Sequence, residues 1–230
     1  MSRSASEIGK SIIAVLPSAA PNSVGKMFHW LIDQAINGNK VLPGAKKTAG
    51  HHLRKRRGDV EKAIDRLVNL HVSLAGTQGF VTSLGGAVAS VVGMPAGMVA
   101  ISIIQGRMVG AIAHLRGYDI ESGQVQQAIM MSLLGEKIVN ELVASGDLPG
   151  SPLVIATAPV LDDELSESIS RRVATSLLSQ SGGKQMASMA GKRVPIVGGG
   201  IGLVTDSYNT LAISRYARAQ FVSRRPAIDD

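Results

Sequence analysis

Apolar residues recur at helical spacing along most of this chain. Between residues 23 and 36 they occupy positions i, i+3, i+4, i+7 and i+8, which form one face of a helix. That face consists of Phe28, Leu31, Ile32, Ala35 and Ile36. A second stripe follows Asp59, a residue type that caps helix N-termini, and comprises Val60, Ala63, Ile64, Leu67, Val68 and Leu74. The pattern therefore predicts two amphipathic helices, the second ending near Gly76.

The rest of the chain predicts further helices and almost no strand. Helices are expected at about residues 80–91, 95–115, 122–144, 163–183, 184–190 and 195–223. Strand-like runs are confined to residues 153–156 and 194–197. We predict an all-α fold, a single compact domain with a glycine-rich hairpin (80–116) and the final helix (196–222) at its centre. Its predicted parts are an N-terminal segment, 1–57, a helical domain, 58–223, and a loose tail, 224–230.

The most informative stretch is residues 67–106, which contain no Asp, Glu, Lys or Arg. A segment so free of charge must be buried in protein or in lipid. It is long enough to cross a membrane, but Pro95 divides it, and its glycines and serines lower its hydrophobicity. The pattern favours a buried helical hairpin over a membrane span.

Composition narrows the chemistry. Aromatic residues make up only 3% of the chain, so the core must be built from small and aliphatic side chains, which suits close-packed helices. There is no cysteine, which excludes disulfides, thiolate zinc sites and cysteine nucleophiles and fits a cytoplasmic protein. No histidine stands in a metal-ligand spacing, and no nucleophile motif or phosphate loop is present. We therefore expect no cofactor, no metal and no enzymatic activity.

The net charge of +7 is concentrated in one segment, residues 40–57, which holds seven Lys or Arg residues and no acid. A solvated loop would explain this basic arm, as would contact with an anionic membrane, a nucleic acid or an acidic protein. The preceding amphipathic helix favours the membrane, because an apolar anchor and a basic segment together support weak membrane binding. The predicted anchors are Phe28, Trp30 and Leu31, and the predicted anionic-surface contacts are Lys46, Lys47, Arg54, Lys55, Arg56 and Arg57. Nucleic acid is disfavoured because no aromatic residues interleave the charges.

Two further groups of residues invite a functional interpretation. Glycines four residues apart on a helix permit close approach of a partner backbone, in the core or in a homo-oligomer. The glycines expected to do so are Gly85, Gly86, Gly198, Gly199 and Gly202. Arg107, Asp119 and Asp206 each interrupt or border an apolar run, where an unpaired charge is costly. We expect these three to form a buried polar network that is structural or binds a small ligand.

Two blocks of sequence together resemble the EcsC family of bacterial proteins. The first runs from Gln105 through Arg107-Met-Val and Ile112-Ala to Gly117-Tyr-Asp119. The second is Val194-Pro-Ile-Val-Gly-Gly-Gly-Ile-Gly202. The resemblance covers about residues 58–222 and implies an all-helical protein without an established enzymatic activity or ligand. The sequence thus predicts a non-enzymatic scaffold or interaction module, peripheral to the inner membrane surface. One alternative is a soluble module that binds protein or nucleic acid through the basic arm. The other is a small-ligand-binding protein or an enzyme with a polar site at Arg107, Asp119 and Asp206.

Overall fold

The all-α prediction is confirmed by the fold. A computed structural model describes residues 24–38, 42–84, 90–91, 94–190 and 195–224, with side-chain surroundings for 29–38, 42–76, 99–177, 179 and 205–224. Within these residues the helices are α1 (Val24–Ile36), α2 (Ala45–Lys55), α3 (Val60–Leu84), α4 (Ala96–Leu115), α5 (Gly123–Ser132), α6 (Glu136–Ala144), α7 (Pro152–Thr157), α8 (Asp163–Ala190) and α9 (Pro195–Gln220). Strands β1 (Ser90–Val91) and β2 (Met94–Pro95) form a short antiparallel pair, with Val91 opposite Met94.

Helix α4 lies at the centre of the fold. It packs against α1, α2, α3, α5 and α9. From residue 99 to residue 115 every side chain is buried except those of Ile101 and His114, which are half-buried. Neighbouring helices therefore cover this part of α4, including residues 99–106 of the charge-free stretch, on all sides, as helices that are apolar all round require. Among the described residues, no helix combines the length and the apolarity needed to cross a membrane.

Two glycines on α4 let its neighbours approach closely. A Cβ atom on Gly106 would lie 3.1 Å from the Cβ of Ala35 in α1. One turn later, a Cβ on Gly110 would lie 3.1 Å from the Cβ of Ala45 in α2. The bare glycine face is thus matched by alanines on both partners, and larger side chains would hold the helices apart.

The N-terminal helices belong to the same core as the rest of the chain. Leu31 and Ile36 of α1, and Ala45 and Ala49 of α2, are buried in the cluster that α4 organises. The expected division after residue 57 therefore does not separate two units. At the other end, the backbone N–H of Arg224 donates to Arg116 O at 2.8 Å, so the chain is still held at the first residue of the expected loose tail.

Several element boundaries differ from the sequence prediction. The expected helix 122–144 is two helices, because the chain turns at Gly135 with φ +80°. Helix α3 continues past Gly76 to Leu84, so no separate helix starts near residue 80. The strand-like runs lie in α7 and, from Pro195 onward, in α9. The predicted cap is confirmed at Asp59, and Asp162 caps α8 in the same way: the Oδ1 atom of each accepts from the backbone N–H three residues on.

Candidate functional site: a buried arginine and an exposed basic turn

Arg107 is the charged residue at the centre of the fold. It lies on α4, and only 3% of its surface is exposed. Its Nε–H donates to His71 Nε2 of α3 at 3.1 Å, and its Nη1 donates to Pro43 O, ahead of α2, at 3.5 Å. Among the described residues, no Asp or Glu oxygen lies within salt-bridge distance of the guanidinium. The buried charge is therefore held by a neutral ring and a carbonyl.

The positions of these residues follow from helical spacing. His71 continues the inner stripe of α3, four residues after Leu67 and three before Leu74, and is fully buried. Its Nδ1 lies 2.8 Å from Leu67 O. Because arginine only donates hydrogen bonds, the Nε2 atom facing it must be the acceptor, and the proton sits on Nδ1. The ring therefore has a partner on each side and one defined tautomer.

Electrostatics agree with this assignment. Burial lowers the pKa of His71 well below 6.5, and the charges of Arg107 and His52 lower it further. Burial also lowers the pKa of Arg107 to about 10, which leaves the guanidinium charged at neutral pH. Burial, His51, Arg66, Lys55 and Arg107 together lower the pKa of His52. Every charge that acts on these histidines is positive, so the neutral ring is favoured in both cases.

The expected network of Arg107, Asp119 and Asp206 is not formed as predicted. Asp119 is exposed in the turn after α4, where its Oδ1 accepts from Glu121 N at 3.1 Å. Asp206 is half-buried on α9, and the structure gives no ion pair between it and Arg107. A carboxylate in a turn can satisfy itself with local backbone N–H groups and needs no buried cation. A ligand site that needs all three residues together is therefore not supported.

The basic arm is more ordered than a solvated loop, because most of it is helix α2. Its inner face is Ala45, Thr48, Ala49 and His52, all buried. The last turn of α2 and the two residues after it carry Arg54, Lys55, Arg56 and Arg57, here named the basic turn. All four side chains are exposed, and none has an acidic partner among the residues that the structure describes.

The backbone of the basic turn forms a Schellman motif. Gly58 N–H donates to Leu53 O at 3.1 Å, and Arg57 N–H donates to Arg54 O at 3.2 Å. This motif places Arg57 in the left-handed region, at φ 55°, a position that glycine ordinarily fills. An L-residue there costs roughly 1–2 kcal/mol relative to a right-handed conformation. The protein keeps an arginine where a glycine would fold more easily.

Lys46 and Lys47 lie at the other end of α2, away from the basic turn. Both are exposed, but Lys46 Nζ pairs with Glu121 Oε1 at 3.2 Å. They line a cavity of about 470 Å³ together with Pro43, Gly44 and Glu121. Glu121 thus partly neutralises the charge of Lys46. Within the described part of the basic arm, most of the positive charge without an acidic partner lies in the basic turn.

The proposed membrane anchors are mostly inside the protein. Leu31 is 2% exposed and belongs to the core, so it is not available to lipid in this structure. Trp30 is half-buried and packs against the same core. The side chain of Phe28 lies outside the described residues. The apolar stripe of α1 faces α4 and α8, which explains its amphipathicity without a membrane.

The remaining predicted glycines cannot be placed in contacts. Gly85 and Gly86 lie outside the described residues. Gly198, Gly199 and Gly202 lie within α9, but their surroundings are not among those described. Among the glycines whose surroundings the structure describes, Gly106 and Gly110, which were not predicted to do so, lie in close contacts between helices. Among the side chains that the structure describes, no three His, Asp or Glu residues converge as metal ligands.

His71, His52 and Arg66 were not among the predicted site residues. His71 has a signal in the sequence, because it continues the stripe that begins at Val60, and a histidine on a buried face needs polar partners. Arg66 lies on α3 and acts on His52, so α3 adds positive charge beside α2. Comparison with protein-family models, curated proteins and solved structures finds no match to this chain.

Proposed function

We propose that this chain is a non-enzymatic interaction module that binds an anionic surface through the basic turn. The surface proposed first is the headgroup layer on the cytoplasmic side of a membrane. Membership of the EcsC family is part of the same proposal and rests on the two sequence blocks around Arg107 and Gly198. The function rests on the basic turn, not on the buried arginine, because a partner can reach only the exposed charges.

One observation carries the proposal: Arg57 holds a left-handed backbone conformation at the tip of the basic turn. The Schellman motif needs the left-handed conformation but not an arginine, and residues held in such sparsely populated conformations cluster at functional sites. Here the strain places a fourth positive side chain beside Arg54, Lys55 and Arg56. Each Lys or Arg close to an anionic leaflet contributes about 1 kcal/mol, so four support weak, reversible binding.

The burial of Leu31 changes the kind of binding expected. Without Leu31 as an apolar anchor, we expect the charges of the basic turn to supply most of the binding. Binding by charge alone is screened by salt over about 10 Å at 0.1 M ionic strength. The same observation favours a second candidate, in which the basic turn binds an acidic protein or a nucleic acid instead of lipid.

The test is co-sedimentation with vesicles of phosphatidylglycerol and phosphatidylcholine, compared with pure phosphatidylcholine vesicles. We expect binding to the anionic vesicles at about 0.05 M salt and loss of binding at about 0.5 M salt. Replacing Arg54 and Arg56 by Gln should weaken binding by about tenfold or more, since two contacts of about 1 kcal/mol are lost.

A matched control is the double variant Lys137→Gln/Arg171→Gln. It removes the same charge from exposed positions on α6 and α8 and should leave most of the binding intact. Equal losses in both double variants would show that net charge, not the basic turn, governs binding. Absence of binding to anionic vesicles at low salt would refute the membrane proposal. Turn-dependent binding to a DNA duplex or to polyglutamate would then support the second candidate.

A further inference from the structure

The hydrogen bond from Arg107 to His71 forms only while His71 Nε2 carries no proton. The guanidinium presents only N–H groups, so its 3.1 Å contact requires a lone pair on His71 Nε2. On the other side of the ring, Nδ1–H donates to Leu67 O at 2.8 Å. Both nitrogens are committed, one as donor and one as acceptor. The ring cannot take a second proton while both hydrogen bonds are in place; this state is called closed.

The same arginine ties three parts of the fold together. Arg107 belongs to α4, His71 to α3, and Pro43 to the segment that leads into α2. A proton on Nε2 would remove the acceptor and place two cations in contact inside the core, which is strongly unfavourable. His71 can therefore accept a proton only when its contact with Arg107 is broken.

We propose that Arg107, His71 and Pro43 form an acid-sensitive joint that holds α2 against α3 and α4. Protonation of His71 opens the joint and releases α2, and with it the packing that supports the basic turn. The consequence for binding rests on the function proposed above, whereas the opening of the joint does not.

The two charged groups that act on His71 both lower its pKa. Arg107 faces it from α4 and His52 faces it from α2. From α9, the nearby acid along the chain is Asp206, next to Ser207, whose hydroxyl reaches Val72 O at 3.3 Å, but Asp206 is not among the groups that shift the pKa of His71. The bond to Leu67 O opposes the shift and is outweighed by burial and Arg107.

His52 adds a second proton-sensitive contact at the same helix interface. It is buried, and its Nδ1 has no hydrogen-bond partner among the described residues. The groups that act on it are His51 and Lys55 from α2 itself, Arg66 from α3 and Arg107 from α4. Arg66 and Arg107 lie on other helices, so a proton on His52 is also accommodated better when α2 moves away from them.

The direction of the pH effect follows from the lowered pKa values. The folded pKa of each histidine lies below the ordinary value of 6.5, so an opened form binds more protons than the closed form once the pH falls below 6.5. The joint is fully stable above that pH. Below it, the ratio of open to closed molecules rises about tenfold per pH unit for each linked proton, until the folded pKa is reached.

The first experiment uses the unaltered protein. Histidine ¹⁵N NMR should show His71 as the neutral, Nδ1-protonated tautomer, still neutral well below pH 6.5. Amide hydrogen exchange, corrected for its intrinsic pH dependence, should show protection in α2 falling by about tenfold or more between about pH 6.5 and pH 5.5. Protection in residues 210–220 of α9 should fall less. A His71 pKa of 6.5 or higher, or equal losses in α2 and α9, would overturn the proposal.

The second experiment compares two variants. His71→Gln keeps an acceptor for Arg107 but cannot titrate, so its α2 protection should lose most of its dependence on pH. The control, His29→Gln, removes an exposed histidine of α1 that is not among the groups shifting the pKa of His71 or His52, and it should behave like the unaltered protein. A His71→Gln variant that retains the full pH dependence would assign the effect to another group and refute the joint.

Vesicle binding at about pH 7.5 and pH 5.5 separates this inference from the proposed function. If α2 opens with acid but no anionic vesicle binds at either pH, the joint stands and the membrane proposal fails. If vesicles bind through the basic turn while α2 protection ignores pH, the membrane proposal stands and the joint fails. If both hold, His71→Gln should abolish the difference in binding between the two pH values.

Discussion

The fold treats two groups of positive charge in opposite ways. Arg107 is enclosed by helices, and its geometry is fixed by His71 and Pro43 O. The basic turn places four cations in solvent, with no acidic partner among the described residues. Neither group has a carboxylate partner among the described residues, and of the two only the buried arginine donates to acceptors on other helices and loops of the chain.

The difference shows which charge serves the fold and which is open to a partner. A buried cation must find its hydrogen bonds internally, because leaving them unmade costs several kcal/mol. Water can hydrate an exposed cation, so the fold does not require it to have an acceptor within the chain, and it can bind an external partner. The backbone confirms the contrast: strain is found at Arg57 in the exposed turn, while the closely packed α4 has ordinary helical geometry.

The largest expected effect comes from breaking the buried contact. His71→Leu should lower the free energy of unfolding by about 3–5 kcal/mol, because it leaves Arg107 buried without its acceptor. The double variant His71→Leu/Arg107→Met should recover much of that loss, since it removes the stranded charge as well. Urea unfolding of the single and double variants measures both values.

The exposed pair between Arg218 and Asp65, at 2.7 Å, provides the control for this experiment. Arg218→Gln should cost less than about 1 kcal/mol, as is typical of exposed ion pairs. If His71→Leu were as stable as Arg218→Gln, the hydrogen bond between Arg107 and His71 would contribute little to the stability of the fold.

A smaller effect is expected where α2 meets α4. Gly110→Leu should lower the free energy of unfolding by about 1–3 kcal/mol, because even its Cβ would lie 3.1 Å from the Cβ of Ala45. Gly123→Leu is the matched control, since a Cβ at that exposed position meets no atom within 4 Å. Similar melting temperatures for the two variants would show that α2 does not pack closely on α4.

The sequence predicts the burial of Arg107 but not its partner. An arginine inside an apolar run must be buried, and the predicted partners are Asp119 and Asp206, two acids that also border apolar runs. The actual acceptor is a neutral histidine 36 positions away, on another helix. Periodicity identifies which face of α3 carries His71, but it does not identify which neighbouring helix that face meets.

Helix α2 was overlooked for a related reason. Its inner face has helical spacing, at positions 45, 48, 49 and 52, but is built from Ala, Thr and His instead of large apolar residues. Because Gly110 of α4 lies opposite this face, small side chains are enough to fill the contact between the two helices. The sequence alone does not reveal that these two positions meet. In the same way, the stripe of α1 predicts a helix correctly but cannot say whether protein or lipid covers Leu31.

The smallest expected effect on stability is also the sharpest test of the contrast between the two groups. Arg57→Gly should raise the free energy of unfolding by about 0.5–1 kcal/mol, because glycine adopts the left-handed conformation of this turn without strain. The same change should weaken binding to anionic vesicles, because it removes one of the four exposed charges. Arg57→Lys keeps the charge and the strain, so it should leave both stability and binding nearly unchanged. Thermal unfolding and vesicle co-sedimentation on the three proteins would measure the two effects separately. A gain in stability with no loss of binding would mean that the strained arginine serves no anionic partner, and the case for the basic turn as a binding surface would fail at its strongest residue.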